Sequence, residues 1–333
     1  MSDMEKLLGV EETPVDTERG LARIRARLER EGIRPVTREV ARMPRPLVSM
    51  WAKGLAAAAS VALVAVLFTV SGLADSILTI FEPKQVAAVP ITQTDIATAI
   101  DSLGSFGTLE WSTQPKPYTV PDLATAARES GLTVLAPAQL PAGVSVATAR
   151  YGVMPKTTAT FTFSAQRTQQ SAARQGRTPP PMPANIDGSK LFISGGPAVV
   201  QVYLDGTQTP APAGDPFSQL PKLVVAEGRP PVVQSDGVTV DQLLQYLLAQ
   251  PGITPQLAAE IKAIKDPSST LPIPIPVDMA SSKTVSVQGV QGVFVGDSTG
   301  LGSALIWQKD GIVYGVAGTL SEAQIMAVAN SLR

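Results

Sequence analysis

GLAAAASVALVAVLFTVSGLA, residues Gly54 to Ala74, runs for twenty-one positions without a charge or a proline. That is the length an α-helix needs to cross the roughly 30 Å hydrocarbon core of a bilayer. A helix satisfies every backbone polar group internally, which a solvent without water demands. A helix this apolar on all sides would otherwise need a very large core to hide it. Ser60, Ser71 and Gly72 fit the same reading, because small residues suit helix contacts in lipid. The stretch therefore predicts a single membrane span and divides the chain into an inner and an outer part.

The flanks orient it. Arg34, Arg38, Arg42, Arg45 and Lys53 precede the span, whereas Asp75 and Glu82 follow it before Lys84 appears. The positive-inside rule puts the N-terminus in the cytoplasm and the C-terminal part outside the cell membrane. A signal peptide with cleavage near Gly72-Leu73-Ala74 is the rival reading. Signal peptides begin near the first residue and carry a shorter apolar region, and here about fifty polar residues come first. An uncleaved anchor is the expectation.

Four segments follow: a cytoplasmic helical segment at 1–53, the span at 54–74, a stalk at 75–118 and an extracytoplasmic α+β domain at 119–333. Only the last is long enough for a sizeable core. Up to Lys53 there are 11 basic and 9 acidic residues, and from Asp75 onward 16 and 19. The outer part is mildly acidic, which argues against gripping nucleic acid by its phosphates. The 29 prolines and sparse aromatics point to a moderate core broken by extended connectors.

Histidine and cysteine are both absent. Without them there can be no zinc finger, Cys-His nucleophile, Ser-His-Asp triad, haem site or disulfide. No cofactor, no metal and no enzymatic activity are expected. An outer domain held by its core alone leans towards a bacterial source.

In the inner segment one helix is predicted from Val15 to Glu31, with Asp16, Thr17 and Glu18 favouring its N-terminus. Leu21, Ile24 and Leu28 share one face, and Arg19, Arg23, Arg27 and Arg30 fall largely on others. The result is a narrow apolar stripe suited to a partner protein. Attraction of the same arginines to anionic lipid headgroups is the competing reading. A second short helix is placed at Val36 to Ala41, ended by Pro44 and Pro46.

Outside, the stalk carries a short helical stretch at Asp95 to Leu103. Pro121 and Asp122 open a helix through Ser130, stopped by Gly131, and a strand follows at Leu132 to Leu135. Alternating strands are read at Val144 to Tyr151 and Thr157 to Phe163. Gln166 to Gly188 and Thr207 to Pro216 read as flexible loops, the first for its polar, proline-rich composition. Two strands fall in Lys190 to Leu204 and one at Leu223 to Ala226. Thr239 with Gln242 makes a capping box for a helix to Ala249, and Thr254-Pro255 opens a second to Lys265, together an inserted αα-hairpin. LPIPIPV (Leu271 to Val277) is extended. Strands follow at Thr284 to Val295, Ala304 to Gln308 and Ile312 to Val316, with a hairpin turn at Asp310-Gly311. Thr319 and Glu322 cap a final helix through Leu332. The fold class expected is α+β, an antiparallel sheet packed by helices.

Three apparent motifs read better as structure. Gly296-Asp297-Ser298-Thr299-Gly300 matches G-x-S-x-G and resembles the serine stretch of trypsin-like proteases, but no histidine exists to take the proton and no S-x-x-K spacing replaces it. Leu248 to Pro255, running on to Ile261, resembles a helix-hairpin-helix DNA element. Its second glycine is Thr254, and only Lys262 and Lys265 lie near, with Glu260 between them. Asp187, Asp205, Asp236 and Asp310 each precede glycine without the D-x-D of a calcium loop and are turn residues. Phe294, Trp307 and Tyr314 are expected as cross-strand core contacts.

DLATAARESGLTVLAPAQLPAG (Asp122 to Gly143) and SALIWQKDGIVYGVAGTLSEAQIMAVANSL (Ser303 to Leu332) resemble the two ends of a bacterial domain family. That family, of no settled activity, is found outside the membrane on anti-sigma-factor-like and sporulation-associated proteins. The first matches its helix and P-x-x-L-P-x-G turn, the second its closing W-x-x-x-G-x-x-Y hairpin and helix. The long middle departs from the shorter family pattern. The resemblance implies a cytoplasmic segment holding a sigma factor, one span and an outer sensor or binding domain. Sigma contact would use Leu21, Ile24 and Leu28, with Arg25 as a polar partner, without the zinc site of His-Cys-Cys anti-sigma factors. An envelope protein whose outer domain binds a lipid, cell-wall or protein ligand, with no sigma-factor role, is the alternative.

Overall fold

The computed structural model describes residues 77–92, 104–205, 221–251, 253–298, 300 and 302–333. They form a mixed α+β fold, mostly antiparallel sheet with few helices. Among them no helix is long and apolar enough to cross a membrane, and the expected span Gly54–Ala74 lies outside them. So do the expected helices at 15–31, 36–41 and 95–103 and the loop at 207–216.

One antiparallel sheet contains β1 (Leu78–Phe81), β3 (Gly107–Thr113), β6 (Thr157–Phe163), β7 (Lys190–Gly195) and β10 (Val232–Ser235), in the order β1-β10-β7-β6-β3. A second contains β4 (Tyr118–Val120), β5 (Val144–Met154), β8 (Ala198–Asp205), β9 (Leu223–Gly228) and the closing meander β12 (Ala280–Val287), β13 (Val290–Asp297), β14 (Ser303–Lys309) and β15 (Ile312–Gly318). Its order is β12-β13-β14-β15-β9-β8-β5-β4. Between chain segments far apart, β2 (Gln85–Ile91) and β11 (Thr270–Pro276) make a parallel pair. The helices are α1 (Leu123–Ser130), α2 (Ala165–Arg174), α3 (Val240–Leu248), α4 (Pro255–Lys262) and α5 (Glu322–Ser331).

Local signals account for many boundaries. Asp122 accepts the Thr125 amide at 2.7 Å to start α1, and Gly131 ends it at φ 68°, a left-handed position that glycine reaches without a Cβ penalty. The Gln288-Gly289 and Asp310-Gly311 pairs both have positive φ, which matches two-residue hairpin turns between twisted strands. In β11 the prolines at 272, 274 and 276 fall on alternate residues, so one edge of the strand has lost its donors. Proline confines a strand in this way to an edge, and β11 pairs with β2 alone. Its other parity, Leu271, Ile273 and Ile275, is buried against Val293.

Several expectations need correction. The segment read as a stalk contributes β1, β2 and β3, which pair with β10, β11 and β6, so the folded body reaches back to Leu78. Gln166 to Gly188 is not wholly loop: α2 occupies its first part, because Ser164 caps the Arg167 amide and the run AQRTQQSAAR is rich in good helix formers. Leu132 to Leu135 forms no strand. The last helix is capped two residues beyond Thr319, by Ser321 with Gln324 in a capping box. Strand β10 is a further strand, paired with β1 and β7.

The αα-hairpin is also not what the two central helices form among the described residues. Leu243 and Tyr246 of α3 are buried in the core of the five-stranded sheet, with Ile186 and Phe161. Leu257 of α4 is buried instead against Val89 and Ile91 of β2. Each helix spends its apolar stripe on a different sheet, leaving little to pack against the other.

The largest core lies on the eight-stranded sheet. Trp307 is fully buried in it, stacked on Tyr314 at 5.3 Å between ring centroids and 17° between planes. The two residues are direct cross-strand partners, and Ile325, Val328 and Ala329 of α5 cover the same cluster. Phe294 belongs to it as well, so the three aromatics are core contacts, as their spacing indicated.

Candidate functional site

Two features stand out from the packed body, an open cleft and a buried carboxyl group. The cleft lies between α3 and α4 and encloses about 490 Å³. Leu244 and Leu248 from α3, Ile261 from α4, and Ile264 and Pro267 beyond it supply apolar walls, with Asp241, Gln245 and Lys262 as its polar side chains. This volume and mixture fall within the range of small-molecule sites.

The helices that frame the cleft are fixed by their first turns. Thr239 accepts the Gln242 amide at 3.3 Å while the Gln242 side chain accepts the Thr239 amide at 3.0 Å, the capping box anticipated from sequence. Thr254 accepts the Leu257 amide at 3.2 Å, with Pro255 at the first helical position. The cleft exists because α3 and α4 diverge onto separate cores; a packed hairpin would have closed it.

The carboxyl group is Glu227, 3% exposed, on β9. Its two oxygens accept the Leu135 amide at 3.0 and 3.2 Å. The carbonyl of the same residue accepts from Gln201 Nε2 at 2.6 Å, and the Tyr203 hydroxyl donates to Gln201 Oε1 at 2.8 Å. Two side chains thus supply the partners a neighbouring strand would give Leu135, and 132–135 makes no ladder. Burial pushes the Glu227 carboxyl up to about 7, and the Leu135 amide pulls the other way. Desolvation wins because one donor cannot replace a hydration shell.

Sequence reasoning missed Glu227 and Gln201, although their parity was informative. Glu227 alternates with the buried Leu223 and Val225, and Gln201 lies between the buried Val199 and Tyr203 at the same period of two. A polar residue on the inward parity of a strand needs a partner. Here the partner comes from a segment more than sixty residues away.

A buried acid of this kind sets the direction of pH dependence. Folded Glu227 holds its proton up to about pH 7, whereas unfolded it releases it near its ordinary 4.5. Between those values the folded state binds more protons, so stability falls as pH rises and levels off above about 7. The full change is on the order of 3 kcal/mol. Denaturant melts of the full chain in detergent at pH 5 and pH 7.5 should differ in that sense. Glu227→Gln should remove this difference; a variant that keeps it would mean another group is responsible.

The remaining candidates read differently. Leu21, Ile24, Arg25 and Leu28 lie outside the described residues. Ser298 sits in the turn joining β13 to β14, where its amide donates to the Met279 carbonyl at 2.9 Å and the Gly300 amide to that of Asp297 at 3.2 Å. Asp187 and Asp236 lie in a turn and a bend, but their side chains reach across the fold to accept the Ala165 and Lys190 amides at 2.8 and 2.7 Å. Among the described residues no group of three or more His, Cys, Asp or Glu side chains lies close enough to hold a metal ion. No protein-family model, curated protein or solved structure matches the chain.

Proposed function

We propose that the chain is a single-pass bacterial membrane protein of the anti-sigma-factor-like kind. Residues 1–53 lie in the cytoplasm and 54–74 in the bilayer. The α+β body lies outside, where it binds a ligand or protein partner and passes the event inward. The observation that carries this reading is the join between the apolar stretch and the body. An uncharged run ends at Ala74, and paired strand begins only four residues later at Leu78.

Four residues of extended chain reach about 14 Å at most, so Leu78 would stay close to the membrane surface. It is 54% exposed, as suits a residue near lipid. Leu78 pairs with Ser235, and α3 begins five residues further on, which brings one wall of the cleft to the membrane-proximal end. A ligand taken up there would be bound where the chain leaves the bilayer. The apolar walls also favour the second reading, an envelope protein that binds an amphiphile or cell-wall component without any sigma-factor role.

The two are separated by what the inner segment holds. Tagged full-length chain, purified in detergent from its own cells, is expected to carry a sigma factor that mass spectrometry identifies. Alanine at Leu21, Ile24 and Leu28 together should abolish its recovery while leaving the chain in the membrane. Recovery of lipid alone, or a triple variant that still retains the sigma factor, would overturn the regulatory reading.

A further inference from the structure

The strap 132–138 connects α1 to the C-terminal end of α5. Its amides and carbonyls reach the chain end directly: Ala136 N–H donates to the Arg333 carbonyl at 3.1 Å, Arg333 N–H to Ala136 at 3.2 Å, and Ala138 N–H to Ser331 at 3.2 Å. On the sheet side Glu227 and Gln201 hold the N–H and the carbonyl of Leu135, while Leu132 and Leu135 pack against the cores of the sheet. Of these contacts the one made by Glu227 can change its charge.

We propose that the Glu227–Leu135–Gln201 contact is a latch that holds the strap against the eight-stranded sheet in acid and lets it lift as the medium becomes neutral. A protonated carboxyl is cheap to keep in a dry site, whereas a carboxylate there has one amide in place of its water. Lifting the strap returns the group to solvent. The titratable groups facing Glu227 are Tyr314, its cross-strand partner on β15, and, through Gln201, Tyr203 on β8. Burial pushes both phenols up, so they remain neutral throughout. The strap has no ionisable side chain between Leu132 and Pro141, and Arg333, where its backbone pairs, is exposed. Among the described residues no cation offsets the charge that Glu227 acquires.

The window follows from the closed and open forms of the group. Open, Glu227 ionises near 4.5; closed, near 7. Across that interval the closing equilibrium weakens about tenfold per pH unit, and it is level above it. Lifting the strap would also release the last turn of α5, so a local proton event would loosen the chain end.

Amide hydrogen exchange on the full chain in detergent, from pH 5 to pH 7.5, tests this. After correction for intrinsic rates, the protection of the Leu135 amide should fall about fortyfold between pH 5 and pH 7. The Leu305 amide, in the core of β14, should be better protected than Leu135 at every pH, because it opens only with the whole fold. Glu227→Gln should make Leu135 indifferent to pH. A Leu135 amide as well protected as Leu305, a Leu135 amide that does not respond, or a Glu227→Gln chain with the wild-type response would each overturn the latch. The comparison of the two amides in the wild-type chain decides the matter even if the variant folds poorly.

Discussion

Replacing Trp307 with alanine should destabilise the folded body by about 3–5 kcal/mol, the range for deleting a large aromatic from a core. Trp307 is completely buried, stacks on Tyr314 across the β14–β15 pair and lies in the cluster that α5 covers. Its indole nitrogen has no hydrogen-bond partner among the described residues, so the loss comes from packing and cavity formation. A Trp307→Phe chain keeps a ring in the stack and should lose substantially less. Urea titration followed by circular dichroism measures both. A Trp307→Ala chain within 1 kcal/mol of the wild type would show that this core collapses around the gap, or that it does not hold the fold.

Gly318→Ala is expected to cost about 3 kcal/mol, at the upper end of ordinary overpacking. A Cβ there would run into the Lys222 carbonyl oxygen and lie 3.0 Å from its carbon and 3.2 Å from Leu223 Cα. Those atoms are backbone, held by the pairing of Gly318 with Leu223 on one side and with Ser303 on the other. No side-chain rotation relieves the overlap. Gly315, on the same strand, has only the Ala226 methyl within reach, at 4.0 Å. Gly315→Ala should therefore change stability by less than about 1 kcal/mol. The same titration reads both variants, and equal losses would rule out the collision as the cause.

The two glycines show where sequence information stops. Both lie in IVYGVAG and look alike as residues of a strand. What separates them is the neighbour β9, delivered from almost ninety residues earlier. The capping residues lie at the other extreme. Asp122, Thr239 and Thr254 act on amides three residues away, so their roles were legible at once. Ser164 follows the same rule, but the proline-rich stretch behind it obscures ten residues of sound helix former. Glu227 and Gln201 could be noticed by parity alone, but not the amide they hold.

Sequence by itself determined the uncharged run from Gly54 to Ala74, the absence of His and Cys chemistry, and the capped helices. It also determined the Asp310-Gly311 hairpin and the mixed α+β class. These depend on composition or on contacts within a few residues. Tertiary structure alone decided that Leu78 to Ile91 and Gly107 to Thr113 join the folded body, that β2 and β11 run parallel, and that α3 and α4 separate to open a cleft. It also brought Glu227 to the peptide unit of Leu135. The reason is that a strand exposes the same donors and acceptors on both edges whatever its side chains. Its partner is therefore chosen by the burial of apolar faces contributed from distant parts of the chain.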